Sequence, residues 1–209
     1  MLFRSRDFLI NQKINYPKPL YYSLMNLLGS HDVARVLNSI VYPSVIRQLP
    51  REEQLKIEFS EESIARAVEF EKLFAAVQFS VPGVPSIYYG DEQGMTGTAD
   101  PFNRKPFREN RKCGLYDHYK ALSQLRNTNP AMRTGEAVFM AQGSDLLMIL
   151  RYNPGGMDAF GAPSSENATL TVINRGEEET WFTADCSCCG LPEYNGKIGP
   201  LSSTVIVLK

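Results

Sequence analysis

Apolar positions follow two different rhythms along the chain, and the rhythm changes near residue 130. In the first part, short apolar runs empty into polar loops. Tyr22-Ser-Leu-Met-Asn-Leu-Leu28 is such a run, closed by Gly29-Ser30, and its length predicts a strand buried on both faces. After a connection containing Pro43 and Pro50, Ser60 followed by Glu61 and Glu62 marks a helix start, a capping hydroxyl with acids at the positive end of the helix dipole. Phe70, Leu73, Phe74 and Val77 recur at i, i+3, i+4 and i+7, so this helix is predicted to run as far as Phe79 before Pro82-Gly83 stops it. Val84-Pro-Ser-Ile-Tyr-Tyr89 reads as a second strand, emptying into Gly90-Asp-Glu-Gln-Gly94. Leu115, Tyr119, Leu122 and Leu125 then mark a helix closing near Asn129-Pro130. Alternating strands and helices imply a parallel sheet with covering helices.

Beyond Pro130 the runs are short and strand-like, at 137–140, 146–152, 169–174, 180–183 and 204–208, separated by turns such as Asn153-Pro-Gly-Gly156. They predict a small antiparallel β-sandwich with its boundary near residues 130 to 135. The expected fold class is therefore α/β followed by all-β, with residues 1–130 as one domain and 131–209 as the other. No internal repeat is visible.

With 209 residues, 43% hydrophobic and 22% charged, the chain has the composition of a globular protein able to bury a sizeable core. A net charge of -1, from 22 basic and 23 acidic residues spread along the chain, provides no footprint for nucleic acid or an anionic membrane. A neutral, polyhydroxylated ligand suits that balance. The start, Met1-Leu-Phe-Arg-Ser-Arg, leads only into Phe8-Leu9-Ile10, too short for a secretory leader, and no apolar window is long enough to span a membrane, so a cytoplasmic location is expected. Cys186, Cys188 and Cys189 cluster, yet Cys113 is the only other cysteine and His31 and His118 are the only histidines. A closed zinc site needs about four ligands in two close pairs, so reduced thiols in a turn are expected, and no metal. The sequon Asn167-Ala-Thr169 is read as chance.

Chemistry concentrates where the first predicted strand ends. Asn26-Leu-Leu-Gly-Ser-His-Asp32 places a histidine and an aspartate side by side at the carboxyl end of a buried parallel strand, where α/β barrels keep their reactive groups. Taken alone, the dipeptide reads first as a turn cap, Asp32, beside an ordinary loop histidine, His31. Three segments in order carry a resemblance that decides between these. Met25-Asn-Leu-Leu-Gly-Ser-His-Asp32 resembles the seventh-strand motif of the α-amylase superfamily, glycoside hydrolase family thirteen. Val81-Pro-Gly-Val-Pro-Ser-Ile-Tyr-Tyr-Gly-Asp-Glu-Gln-Gly-Met95 resembles its eighth strand and following loop, and Asp100-Pro-Phe-Asn-Arg104 a segment of the neopullulanase, cyclomaltodextrinase and maltogenic amylase branch.

The resemblance implies that residues 1–130 are the C-terminal part of a (β/α)8 TIM barrel, its last two strands and helices. It makes Asp32 the third catalytic carboxylate, which stabilises an oxocarbenium-like transition state without forming a covalent bond. It makes His31 a sugar-holding neighbour, and Asp100 and Arg104 shapers of the glycone-side subsites. Tyr89, Asp91 and Glu92 stand at the mouth of the eighth strand, where they line the cleft or brace the rim. Arg35 is assigned no catalytic role; it steers the Asp32 carboxylate or faces solvent. No organic cofactor is implied, and calcium is left open because the family's calcium-binding regions lie mostly upstream.

The departure from the family is as informative. A retaining glycosidase needs a nucleophile and a general acid about 5 Å apart, on strands that would precede residue 1. The resemblance thus implies part of a retaining hydrolase of α-1,4-glucosidic bonds in maltooligosaccharides, cyclodextrins or pullulan, inactive alone. Its partners would be an α-glucan and either a second copy or a complementary N-terminal barrel fragment. The competing readings are a non-catalytic carbohydrate-binding or interaction module built on the sandwich, and one half of a split barrel.

Overall fold

A computed structural model describes residues 2–42 and 49–208; Met1, Pro43 and Lys209 lie outside the described residues. The chain opens with two helices the apolar pattern did not announce, α1 (Leu2–Asn15) and α2 (Lys18–Ser23). Lys18-Pro19 starts the second, as proline suits the first helical turn. This corrects the predicted strand at 22–28, because Tyr22 and Ser23 complete α2 and strand β1 keeps only Met25–Leu27. The reason is tertiary: the Tyr22 hydroxyl donates to the carbonyl of Gly135 at 2.7 Å, pinning the helix to the start of the β-rich region.

After β1 come α3 (Val36–Val41), α4 (Arg51–Gln54) and α5 (Glu61–Ser80), then β2 (Val84–Ser86). The strands pair in parallel, Met25 opposite Val84 and Leu27 opposite Ser86, as the strand–helix–strand order predicts. Double-sided burial is not found. Met25 is 61% exposed and Leu27 52%, since among the described residues each strand has one partner only and the sheet does not close. A cleft of about 580 Å³ opens beside them, lined by Phe8, Leu9, Met25, Leu27, Phe74 and Val77.

Helix α5 is the hub. Ser60 caps it as predicted, its Oγ accepting from Ser63 N at 3.1 Å. One face, with Ala67, Val68, Ala75 and Phe79, packs on Leu37 of α3 and on Leu115, Tyr119 and Leu122 of α6 (Leu115–Thr128). A second, with Leu73 and Ala76, packs on Phe139, Leu147, Ile149 and Ile173 of the β-rich region. Gln78 donates from Nε2 to the carbonyls of Asn26 (2.7 Å) and Ser86 (2.8 Å), clamping β1 and β2 to the helix. The turn between α5 and β2 needs Gly83, at φ +109 with Leu24 O only 2.6 Å from where a Cβ would stand.

The β-rich region follows α7 (Pro130–Thr134). It contains β3 (Glu136–Gln142), β4 (Leu146–Tyr152), β5 (Ala168–Asn174), β6 (Thr180–Ala184), β7 (Tyr194–Ile198) and β8 (Ser202–Leu208). Five of these match predicted runs; β7, Tyr-Asn-Gly-Lys-Ile, is too polar to have been seen. Antiparallel order β3-β4-β5-β8 forms one sheet, and β6-β7 form a hairpin. Leu146, Met148, Leu150, Leu170 and Val172 meet Phe182, Ala184 and Ile198 of the hairpin, which makes the sandwich. The other face of the four-stranded sheet is covered by α5, so alternate residues of β4 and β5 go to different cores, and β5 is buried throughout and β4 up to half-buried Tyr152. Two arginines seal this seam. Arg151 donates to the carbonyls of Ser80 (2.8 Å), Met132 (2.9 Å) and Gly135 (2.9 Å), and Arg126 to those of Phe79, Gly83 and Met132. Burial pulls both guanidinium groups down to about 10. Both still carry a full charge at neutral pH, placed at the negative end of α5.

No helix among the described residues is long and apolar enough to cross a membrane.

Candidate active site

The chain leaving β1 runs through Gly29, Ser30, His31 and Asp32 into α3, and the chain leaving β2 runs through Tyr88, Tyr89 and Gly90 into a short turn at Asp91–Gln93. The strands are parallel and paired, so both loops emerge on the same end of the sheet. Asp32 presents its carboxylate to solvent, with its side chain 74% exposed; His31, 63% exposed, places Nε2 3.3 Å from Asp32 Oδ1. The Asp32 amide donates to Ser30 Oγ at 3.2 Å.

Beneath this exposed pair lies a buried polar layer. Arg35, one turn past Asp32, is buried and turned away from it, which corrects both expectations for that residue. Its Nε donates to Asn103 O at 2.8 Å, and its Nη1 donates to Tyr89 O and, at 3.1 Å, to Asp91 Oδ1. The guanidinium also stands 4.3 Å and 4.6 Å from the ring centres of Tyr88 and Tyr89. Asp91 is buried and paired with Arg35. Its Oδ2 occupies the space a Cβ on Gly29 would need, at 2.4 Å, so a side chain at 29 would have to displace this carboxylate. Burial raises the Asp91 pKa to about 6 against the pull of Arg35. Glu71 of α5 lies deeper; burial first, and the Asp91 charge second, hold its carboxyl well above the ordinary range, and Tyr119 donates to it at 3.2 Å.

Asn103 joins the third segment to the first. Its Nδ2 donates to His31 O at 2.8 Å and to Val33 O at 2.7 Å, which sets the 100–104 turn against the Asp32 loop. On that turn Arg104 Nε pairs with Asp100 Oδ1 at 2.7 Å, both half-exposed. Tyr89 is part-exposed and donates its hydroxyl to Lys105 O at 2.9 Å. Glu92 turns inward and accepts from the Gly90 amide at 2.8 Å. The structure therefore gathers all the foreseen residues on one end of the sheet: His31, Asp32, Tyr89, Asp100 and Arg104 on the exposed side, Asp91 beneath. Asn103 and Glu71 were given no role in the sequence reading, and Arg35 a different one. Asn103 and Arg35 stood within or beside the quoted segments, while nothing in sequence marked Glu71 among the acids of α5.

No family model matches the chain. The amylopullulanase of Thermoanaerobacter thermohydrosulfuricus is 36% identical over 163 residues, which are 78% of this chain and 10% of that protein. The cyclomaltodextrinase of Geobacillus thermopakistaniensis is 30% identical over 177 residues, 82% of this chain and 24% of that one. The solved cyclic α-maltosyl-(1→6)-maltose hydrolase of Arthrobacter globiformis, in its complex with maltose, superposes with a TM-score of 0.71 at 25% identity, over 97% of this chain and 39% of its own. The chain belongs to the α-amylase family. It spans about a tenth of the first of these relatives and about a quarter of the second. The four cysteines are free, and among the described residues no three His, Cys, Asp or Glu side chains gather as metal ligands.

Proposed function

We propose that this chain supplies the transition-state-stabilising aspartate and part of the glycone-side cleft of a retaining α-glucosidic hydrolase, and that it is inactive without a complementary barrel segment. The observation that supports this reading most is the Asp32 carboxylate, raised into solvent beside His31 at the shared end of two parallel strands. Asp32 accepts hydrogen bonds from sugar hydroxyls and opposes the positive charge that develops at the anomeric carbon; its value lies in binding that strengthens at the transition state. It is not the nucleophile. His31 donates to a neighbouring hydroxyl, and Asp100 with Arg104 grips a sugar further along the cleft. Residues 1–130 carry these groups and 131–209 support α5 from behind. The bonds cleaved are α-1,4 links of maltooligosaccharides, cyclodextrins or pullulan, in keeping with the names of the relatives. No organic cofactor takes part, and the free thiols suit a reducing, cytoplasmic setting.

The carbohydrate-binding-module reading has one feature behind it, Trp181, 64% exposed on the outer face of β6. Lys197 Nζ stands 4.9 Å from that ring and occupies the platform a sugar would stack on.

Completing the barrel tests the proposal. The first six strand–helix units of a cyclomaltodextrinase are fused ahead of residue 1 and turnover of β-cyclodextrin is measured. Asp32→Asn should lower kcat by about 10²-fold or more, the scale for losing one preorganised stabilising group. Turnover by the isolated chain that disappears with Asp32→Ala would show that the catalytic groups are misassigned.

A further inference from the structure

We infer that Asn103 is a positioning residue that sets where the Asp32 carboxylate stands; the catalytic meaning of this rests on the reading of Asp32 given above. Asp32 has no buried partner for its side chain, so its place is decided by the backbone on either side. Those two sides hold the two short acceptors of Asn103: the carbonyl of His31 precedes Asp32 and the carbonyl of Val33 follows it, with Ser30 O a longer third contact at 3.5 Å. An amide nitrogen has two hydrogens, and both are used here. Asn103 is 0% exposed, so water does not compete for these bonds. The clamp is itself anchored, since the Asn103 carbonyl accepts from buried Arg35, three residues past Asp32 and fixed by Asp91. The 29–35 segment is thus held at three successive points by groups more than fifty residues away in sequence. A side chain at 103 must donate twice and accept nothing from the loop. Aspartate, equal in shape, would set a carboxylate against two carbonyl oxygens.

Misplacement of a catalytic group by about 1 Å costs on the order of 10²-fold in rate. Asn103→Asp is therefore expected to lower kcat of the completed barrel by about 10- to 100-fold while KM changes less than about threefold, because the group displaced acts mainly at the transition state. Asn103→Ala should act in the same direction and more weakly, as it removes the donors without adding repulsion. A second readout needs no activity. In the chain itself, amide hydrogen exchange at 30–33 should accelerate about tenfold or more in Asn103→Asp while α5 changes less than about twofold, the mark of a local opening. Equal acceleration in α5 would make Asn103 a general stability residue and overturn the inference, as would unchanged exchange at 30–33 or an unchanged kcat. If instead Asp32→Asn retains turnover, the role of Asp32 fails, and the exchange comparison still decides whether Asn103 clamps the loop.

Discussion

Strands β1 and β5 reverse what their sequences lead one to expect. Met25-Asn-Leu27 of β1 comes from the more apolar run, yet its two large side chains stand mostly in water. Ala168-Thr-Leu-Thr-Val-Ile-Asn174 of β5 alternates like a strand with one wet face, yet every residue is buried. The difference lies in what covers them. β5 sits between β4 and β8, with the hairpin on one face and α5 on the other, and Thr171 is accommodated by a 2.7 Å hydroxyl–hydroxyl bond to Ser80 of α5. β1 has one neighbouring strand, and an open cleft beside it. Burial belongs to the neighbours a strand acquires, and hydropathy alone does not report it.

Hydrogen exchange should expose this contrast most clearly. Amides of β4 and β5 should exchange only through global unfolding, and those of β1 and β2 about 10²-fold faster or more, through local opening. Helix α5 sharpens the comparison: packed on the sheet through Leu73 and Ala76, it should be protected with the β-rich region although it follows β1 in the chain. Uniform rates across β1, β2, β4 and β5 would break the distinction.

A pair of truncations asks the same question of side chains. Leu147→Ala should destabilise by about 2–5 kcal/mol, as buried leucines do, and Leu27→Ala by less than about 0.5 kcal/mol, as exposed positions do. Urea denaturation of the two variants provides the check, and similar losses would mean that β1 is covered in solution.

The rim is where the barrel side is buried as deeply as the sandwich, and pH probes it. Asp91 is raised to about 6 from an ordinary 3.8, chiefly by burial, so folded protein holds its proton more tightly than unfolded chain does. Its contribution to stability is then full below 3.8 and is lost as pH rises through about 6; Glu71, also raised, carries the loss higher. Asp91→Asn should flatten the fall in stability over that window by on the order of 2 kcal/mol. Thermal melts of both proteins from pH 4 to 7 measure this, and parallel curves would show that Asp91 is not desolvated.

Legibility differed by kind of feature. The α5 start was readable because Ser60, Glu61 and Glu62 act on amides within the same turn, and β4 and α6 because their apolar spacing is local. The end of α2 was not, since Tyr22 is drawn there by Gly135, more than a hundred residues on. At the site, the motif around Asp32 was visible as a string of residues. The inward turn of Arg35 was invisible because its partners are Asn103, Tyr89 and Asp91.

By itself, then, the sequence determined α5, α6, β2 and five of the six strands after residue 135, the parallel then antiparallel order and the Asp32 segment, because caps, spacing and turn residues act over a few positions. Tertiary structure alone decided that Met25 and Leu27 are exposed, that Thr171 is buried against Ser80, and that Asn103 and Arg35 hold the Asp32 loop. These outcomes depend on desolvation and on hydrogen-bond partners from distant segments, and a buried polar group is tolerated only where folding brings those partners to it.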